Sequence, residues 1–260
     1  MKNIMSLLVL STALVFISFN NVGVRDYRVN KIVIDAGHGG RDPGTHGSFS
    51  NEKDIALKIA LETGRIIKEN LPGVEVIYTR DKDSYPSLAQ RAELANKNGA
   101  DLFVSIHCNW LSRPDYHGTE TYVMGLKMNE ANFEVAKREN SVITLVENAQ
   151  DEYDGFDPTS PESYILFSLY QSAFRNNSLL MAQNVENQFK TRVGRKSRGV
   201  KEAGFWVLYK TAMPSILIET GYLSNAKEER DLNDPLQQTY IASGIYRAFR
   251  DYKKDLESLN

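Results

Sequence analysis

One cysteine, Cys108, stands in 260 residues, so no intrachain disulfide can staple this chain. A basic excess is missing as well. Thirty-one Lys and Arg face 33 Asp and Glu for a net charge of −2, whereas binding a phosphate backbone needs a clear positive surplus. Nucleic acid is therefore not an expected partner. Histidine is scarce, with four in the chain, which makes the place of each one informative. The glycines that follow Lys31-Ile-Val-Ile-Asp35 are not succeeded by Gly-Lys-Ser/Thr, and no helical pattern starts directly behind them, so they do not form a phosphate loop. No repeat, low-complexity tract or linker splits the chain. What remains, 42% hydrophobic and 25% charged residues, suits a soluble globular protein with one large α/β domain, expected over residues 29–255.

The first residues stand apart from that domain. Met1-Lys2 precedes Ile4 to Phe19, a mostly apolar run without charge that falls a little short of the ~20 residues a spanning helix needs. It reads as an export signal within residues 1–22, which places the protein in the periplasm or cell envelope. Small residues around a cleavage point are sparse, so an uncleaved anchor stays open as the one membrane contact. No cysteine follows the run to accept a lipid. No separate wall-binding repeat is expected.

Apolar periodicity orders the rest. Lys31 to Ala36 reads as a buried strand that breaks into Gly37-His38-Gly39-Gly40. Ile55, Ile59, Ala60, Thr63 and Ile66 recur at helical spacing behind Ser50 or Asn51 as a cap. Val74 to Tyr78 is a second strand, Ser87 to Lys97 a second helix, and Asp101 to His107 a third strand. Gly118 to Val123 alternates in a way that predicts an edge or half-exposed fourth strand. Residues 127–190 carry helical sequence alone. Strand character returns at 199–203 and 205–209 and peaks at Pro214 to Gly221, and an amphipathic helix from Pro235 to about Lys253 closes the chain. The expectation is an α/β fold: a twisted, mostly parallel mixed sheet flanked by helices, with a helical insertion between the fourth strand and the later strands.

If the strands ending on His38, His107 and Glu219 are parallel, their side chains reach one edge of the sheet, where ligands of open α/β sheets bind. Glu52, at the start of the first helix, can reach the same edge. Two imidazoles and two carboxylates suit zinc: two His and one Glu can hold the ion and leave a position for water, while the other carboxylate moves a proton. Calcium and magnesium fit nitrogen donors poorly. Glu219, behind Ile216-Leu-Ile218, would be costly to bury without a purpose. His46 reads as a solvated loop residue, His117 as a residue near the cleft at most, and Cys108 as facing away from the metal.

These residues resemble a known family, the zinc-dependent N-acetylmuramoyl-L-alanine amidases of the type 3 fold. The likeness spans Val33-Ile-Asp-Ala-Gly-His-Gly-Gly-Arg-Asp-Pro-Gly44, Asn51-Glu52-Lys53, Tyr78-Thr-Arg80, Leu88-x-x-Arg91, Ala100-Asp-Leu-Phe-Val-Ser-Ile-His107-Cys-Asn109 and Met213 to Asn225. The resemblance implies that His38, Glu52 and His107 hold one zinc ion and that Glu219 is the catalytic base. The substrate would be peptidoglycan, cut at the amide between N-acetylmuramic acid and L-alanine. In division-associated members, an insertion at the place of residues 127–190 blocks the cleft until a periplasmic activator displaces it. Arg138-Glu139-Asn140 is similar to a run in that insertion, so Glu134, Glu139 or Glu147 is expected to screen the metal. Two other readings stay open on the residues alone: a zinc peptidase cutting within the stem peptide, and a catalytically silent wall-binding scaffold.

Overall fold

The computed structural model describes residues 28–125, 129–164 and 173–258, so the segment read as an export signal, residues 1–22, lies outside them. The first half alternates as expected: β1 (Lys31–Ala36), α1 (Glu52–Asn70), β2 (Glu75–Tyr78), α2 (Leu88–Lys97), β3 (Leu102–Asn109) and β4 (Thr119–Val123). Then come α3 (Glu130–Asn140), a 3-10 turn (Ser141–Leu145), a single turn α4 (Ala149–Glu152) and α5 (Arg175–Gln188), which runs into a π-helical turn (Phe189–Val193). The end of the chain supplies β5 (Ser197–Glu202), α6 (Trp206–Tyr209), β6 (Ser215–Tyr222), α7 (Ala226–Asn233) and α8 (Pro235–Glu257).

The strands form one sheet in the order β2-β1-β3-β6-β4-β5. β2, β1, β3 and β6 run parallel, β4 pairs antiparallel with β6, and β5 runs parallel with β4. The expected mostly parallel mixed sheet is therefore the observed one. Its parallel part brings the carboxyl ends of β1, β3 and β6 to one edge.

Each face of the sheet has its own apolar layer. On the back, Ile32, Ile34, Val104, Ile106, Ile216 and Ile218 pack under α1, α5 and α8. On the front, Val33, Phe103, Leu217 and Tyr122 pack under α2, α3 and α6, with Trp206 and Tyr153 among the largest buried side chains. Two helices of the back layer start differently. Asp234 caps α8 by accepting from Gln237 N at 2.9 Å, with Pro235 at the first helical position. α1 begins at Asn51 without a side-chain cap, because the Asn51 amide oxygen is spent on His46 Nδ1 at 2.9 Å.

Three expectations need correction. β4 is no edge strand: it lies between β6 and β5, with all five residues buried. Its alternation misleads because its polar residues find partners indoors. Glu186 of α5 accepts hydrogen bonds from Thr119 (3.1 Å) and Thr121 (2.7 Å), so the hydroxyl face is covered rather than wet. Residues 205–209, read as strand, instead form the short helix α6, whose aromatic side chains anchor in the front core. The helical stretch 127–190 also divides. α3 and α4 cover the front, while α5 packs Met181, Ala182 and Val185 into the back core beside α8. Among the described residues, no helix is long and apolar enough to cross a membrane.

Candidate metal centre

His38 leaves the end of β1 through a turn that few residues can follow. Its own φ is 59°, in the left-handed region that a non-glycine residue enters at some cost. Two glycines make room for the imidazoles. A Cβ on Gly37 would stand 2.4 Å from the His107 ring, and one on Gly44 (φ +68°) would stand 2.6 Å from the His38 ring. The glycine-rich stretch thus lets rings approach the backbone as well as letting the chain bend.

Two buried arginines lock the turn. Arg80 donates to the carbonyls of Ala36 (2.9 Å) and Gly37 (2.7 Å), and Arg91 to those of Ala36 (2.6 Å) and His38 (2.7 Å). Arg91 also pairs with Asp35 at 2.7 Å. Burial alone would raise the Asp35 carboxyl, but Arg91 and the hydroxyls of Ser105 and Thr79 outweigh it and hold it below the usual carboxylate range.

Four side chains converge above this floor. His38 Nε2 lies 3.1 Å from a carboxylate oxygen of Glu52 and 3.1 Å from one of Glu139. His107 Nδ1 lies 3.0 Å from Glu52 and 3.1 Å from Glu139. One donor atom from each of the four fits within 4.8 Å of all the others. His38 Nε2 and Glu139 Oε2 are buried, yet neither has a hydrogen-bond partner of good geometry. These two atoms face the shared centre unpaired, while His107 Nδ1 meets Glu52 Oε1 at 3.0 Å, so a cation between the four would satisfy what the side chains leave open.

The outer partners fix which nitrogen faces inward. His38 Nδ1 donates to Asp42 at 2.7 Å, leaving Nε2 for the centre. His107 Nε2 meets Ser105 Oγ at 3.1 Å, and that hydroxyl donates to Asp35 at 2.6 Å, which leaves Nδ1 for the centre. A ligating histidine held from behind by a carboxylate, directly or through a hydroxyl, is a recurrent metal-site arrangement. Glu52 is held as firmly, by Thr45 N (2.8 Å), Thr45 Oγ1 (3.0 Å) and Cys108 N (2.9 Å). Burial should make the imidazoles less basic. The carboxylates of Glu139 and Glu52 overcome it and lift His107 to about 9, and Glu52, Asp42 and Glu139 likewise raise His38 well above the ordinary value. The pocket therefore favours positive charge at its centre.

Glu219 stands across from His107 in the β3–β6 register and across from Glu120 in the β6–β4 register. It is fully buried, and among the described residues neither carboxylate oxygen has a hydrogen-bond partner. Burial, with Glu139 and Glu52 adding repulsion, pushes its carboxyl well above the ordinary value.

Of the sequence candidates, His38, Glu52 and His107 come together, and Glu219 lies beside them. Among the three proposed screening residues, Glu139 enters the centre while Glu134 and Glu147 are exposed. His46 is exposed on its loop, and His117 is exposed with Nδ1 3.0 Å from Asp115 O, away from the cluster. Cys108 faces the back core, as strand phase predicts. Sequence reasoning left Asp35, Asp42, Thr45, Arg80 and Arg91 without roles. Their signal was a charged or hydroxyl residue inside an otherwise apolar or turn-forming run.

The comparisons with known proteins agree with one another. Residues 32–251 match the family described as N-acetylmuramoyl-L-alanine amidase. The chain is 33% identical over 225 residues to the N-acetylmuramoyl-L-alanine amidase AmiA of Escherichia coli K12, covering 85% of this chain and 75% of that protein. Among solved structures, it is similar to the catalytic domain of the amidase CwlV from Bacillus (Paenibacillus) polymyxa, at 31% identity and TM-score 0.61, over 86% of this chain and 97% of that one. It is also similar to the CwlD amidase of Clostridioides difficile, solved with the GerS lipoprotein, at 26% identity and TM-score 0.64, over 87% and 99% of the two chains. A strand-edge cluster of two imidazoles and two carboxylates, on a sheet shared with these enzymes, leads to one conclusion: the chain belongs to the type 3 N-acetylmuramoyl-L-alanine amidases.

Proposed function

We propose that the chain is an exported, zinc-dependent peptidoglycan amidase, active in cell separation or wall remodelling, whose resting form is closed by Glu139. The convergence of His38 Nε2, His107 Nδ1, Glu52 and Glu139 on one point carries this reading. In it, His38, Glu52 and His107 hold one zinc ion, a mix of nitrogen and oxygen donors that suits zinc better than calcium or magnesium. When bound, zinc supplies Lewis acidity, polarising the amide carbonyl between N-acetylmuramic acid and L-alanine and acidifying water at neutral pH. Glu219 takes a proton from the attacking water and passes it to the leaving nitrogen of L-alanine. Its unpartnered oxygens and raised proton affinity suit both halves of that transfer. Asp42, and Ser105 backed by Asp35, keep the two imidazoles in register.

Residues 29–255 form the catalytic domain in this reading, preceded by a signal or anchor within residues 1–22. The blocking element is α3, the part of the 127–190 stretch that reaches the centre. Arg138 ties it to the rim through Asn109 Oδ1 (2.8 Å) and Trp110 O (3.0 Å). Asn140 ties it on the other side, donating to Gly204 O at 2.8 Å and accepting from Trp206 N at 2.9 Å. A periplasmic activator would release these contacts. The CwlD structure with a lipoprotein shows that a relative of this fold does take a protein partner. Mass spectrometry of digested sacculi tests the reaction: the expected product is a free peptide beginning with L-alanine. Fragments cut inside the stem peptide, or no release after α3 is loosened, would overturn it.

A further inference from the structure

Beside the metal centre lies an open groove of about 460 Å³, lined in part by His46, Ser48, Trp110, Leu111, Pro114 and Leu223. Both of its walls are joined to the centre along the chain. Thr45, next to His46, donates to Glu52, and Trp110 follows His107 by three residues. Three residues of extended chain reach at most ~10 Å. That distance is within range of the sugar bearing the scissile amide or of the neighbouring sugar on the strand.

We propose that this groove is a glycan subsite, with the Trp110 indole as the platform for an uncharged N-acetylated sugar ring. The proposal rests on the amidase reading of the centre and names the part of the substrate that this flank receives. Three observations support it.

Trp110 is 40% exposed, whereas the other tryptophan, Trp206, is 1% exposed. Trp110 is thus one of the five exposed large hydrophobic side chains among the described residues, and it lines this groove. An indole left open beside an active centre offers a flat apolar surface with a polar edge.

Both walls are stiff. Trp110 N donates to Asn109 Oδ1 at 2.8 Å and Leu111 N to Ser224 Oγ at 3.1 Å, while on the facing loop Phe49 N donates to Glu229 at 2.8 Å and Gly47 N to Ser50 O at 2.9 Å. A platform held this way loses little freedom on binding.

Charge then selects the occupant. No lining residue bears a carboxylate, ammonium or guanidinium group. A stem peptide, with its carboxylates, would bring charges that find no counterpart here, and their partial desolvation would be unpaid. A sugar brings hydroxyl and amide groups, which Ser48, Ser112, Ser224 and His46 can meet.

Binding to peptide-free glycan strands and to chitotetraose, measured by retention and by indole fluorescence, tests the assignment in the full chain. Trp206 is buried, so a fluorescence change on adding chitotetraose reports Trp110. Trp110→Ala should weaken retention on peptide-free glycan about tenfold, as truncating an aromatic anchor does. Trp110→Phe should stay near wild type. The backbone carbonyl that accepts from Arg138 remains in both variants, so α3 keeps its seat. Equal glycan retention by wild type and Trp110→Ala would overturn the proposal. Glycan binding through Trp110, with no release of L-alanine-terminated peptide even after α3 is loosened, would sink the amidase reading and leave the subsite standing. Release with unaltered binding would sink the subsite alone.

Discussion

The two faces of the sheet are covered by different kinds of contact. On the back, α1, α5 and α8 bury an almost wholly apolar layer of Ile, Val, Met and Phe side chains, which gains nothing by separating. On the front, α3 brings Val135 and Ala136 to the core, but its seat over the centre is polar: Arg138, Glu139 and Asn140 each reach a different part of the rim. Polar contacts exchange readily with water and contribute a net ~1 kcal/mol or so each, while a buried aliphatic layer does not exchange at all. One face is held by contacts that resist opening, and the other by contacts that the proposed activation could exchange for water.

Glu219→Gln probes the chemistry under the movable face. It should lower peptide release from sacculi by about two to four orders of magnitude while zinc stays bound. Unchanged release would remove Glu219 from its role. Phe249→Ala tests the fixed face. A large-to-small change in that layer should cost about 3–5 kcal/mol in denaturant unfolding, and a loss below about 1 kcal/mol would show that the back is less tightly packed than it looks.

Asp35 tests the floor between the faces by pH. Its folded-state affinity for protons is depressed, so the stability it contributes is complete above the unfolded aspartate value and is lost as pH falls below it. Wild-type unfolding free energy should begin to drop below about pH 5 and keep dropping until pH passes the lowered folded-state value, and Asp35→Asn should be weaker at pH 7 with a flatter acid limb. An unchanged limb would mean the Arg91 pair does not set it. Arg138→Ala should have a smaller effect, in the opposite direction on activity: about a tenfold gain in activator-free hydrolysis, with unfolding changed by about 1 kcal/mol. No gain, with the fold intact, would refute closure by α3. Glu134→Ala and Glu147→Ala, at exposed positions, should change stability by less than about 0.5 kcal/mol and activity not at all.

These contrasts also mark what could be read from sequence. His38, His107 and Glu219 were legible because each ends an apolar strand-like run, and parallel strands deliver their ends to one edge. Glu52 followed from the helix start. Choosing Glu139 over Glu134 and Glu147 was beyond periodicity, since which side of a polar helix is buried depends on the sheet it meets. β4 was misread for a related reason: Thr119 and Thr121 look solvent-bound until Glu186, 65 residues or more away in sequence, supplies their acceptor. Arg80 and Arg91 stood out in the sequence only as charges. Their work, holding the carbonyls of Ala36, Gly37 and His38, is tertiary throughout.

The fourth side chain of the centre, Glu139, has a consequence for metal supply. Whatever Glu139 gains from a cation, the cation gains from Glu139, because the coupling between two binding events is the same in both directions. A closed α3 would therefore grip zinc more firmly than an open one. On the proposed reading, the closed enzyme would be a secure store for its ion. Activation of the proposed kind would loosen that hold, so an amidase left open in a zinc-poor surrounding would go silent by losing its ion, with no inhibitor needed.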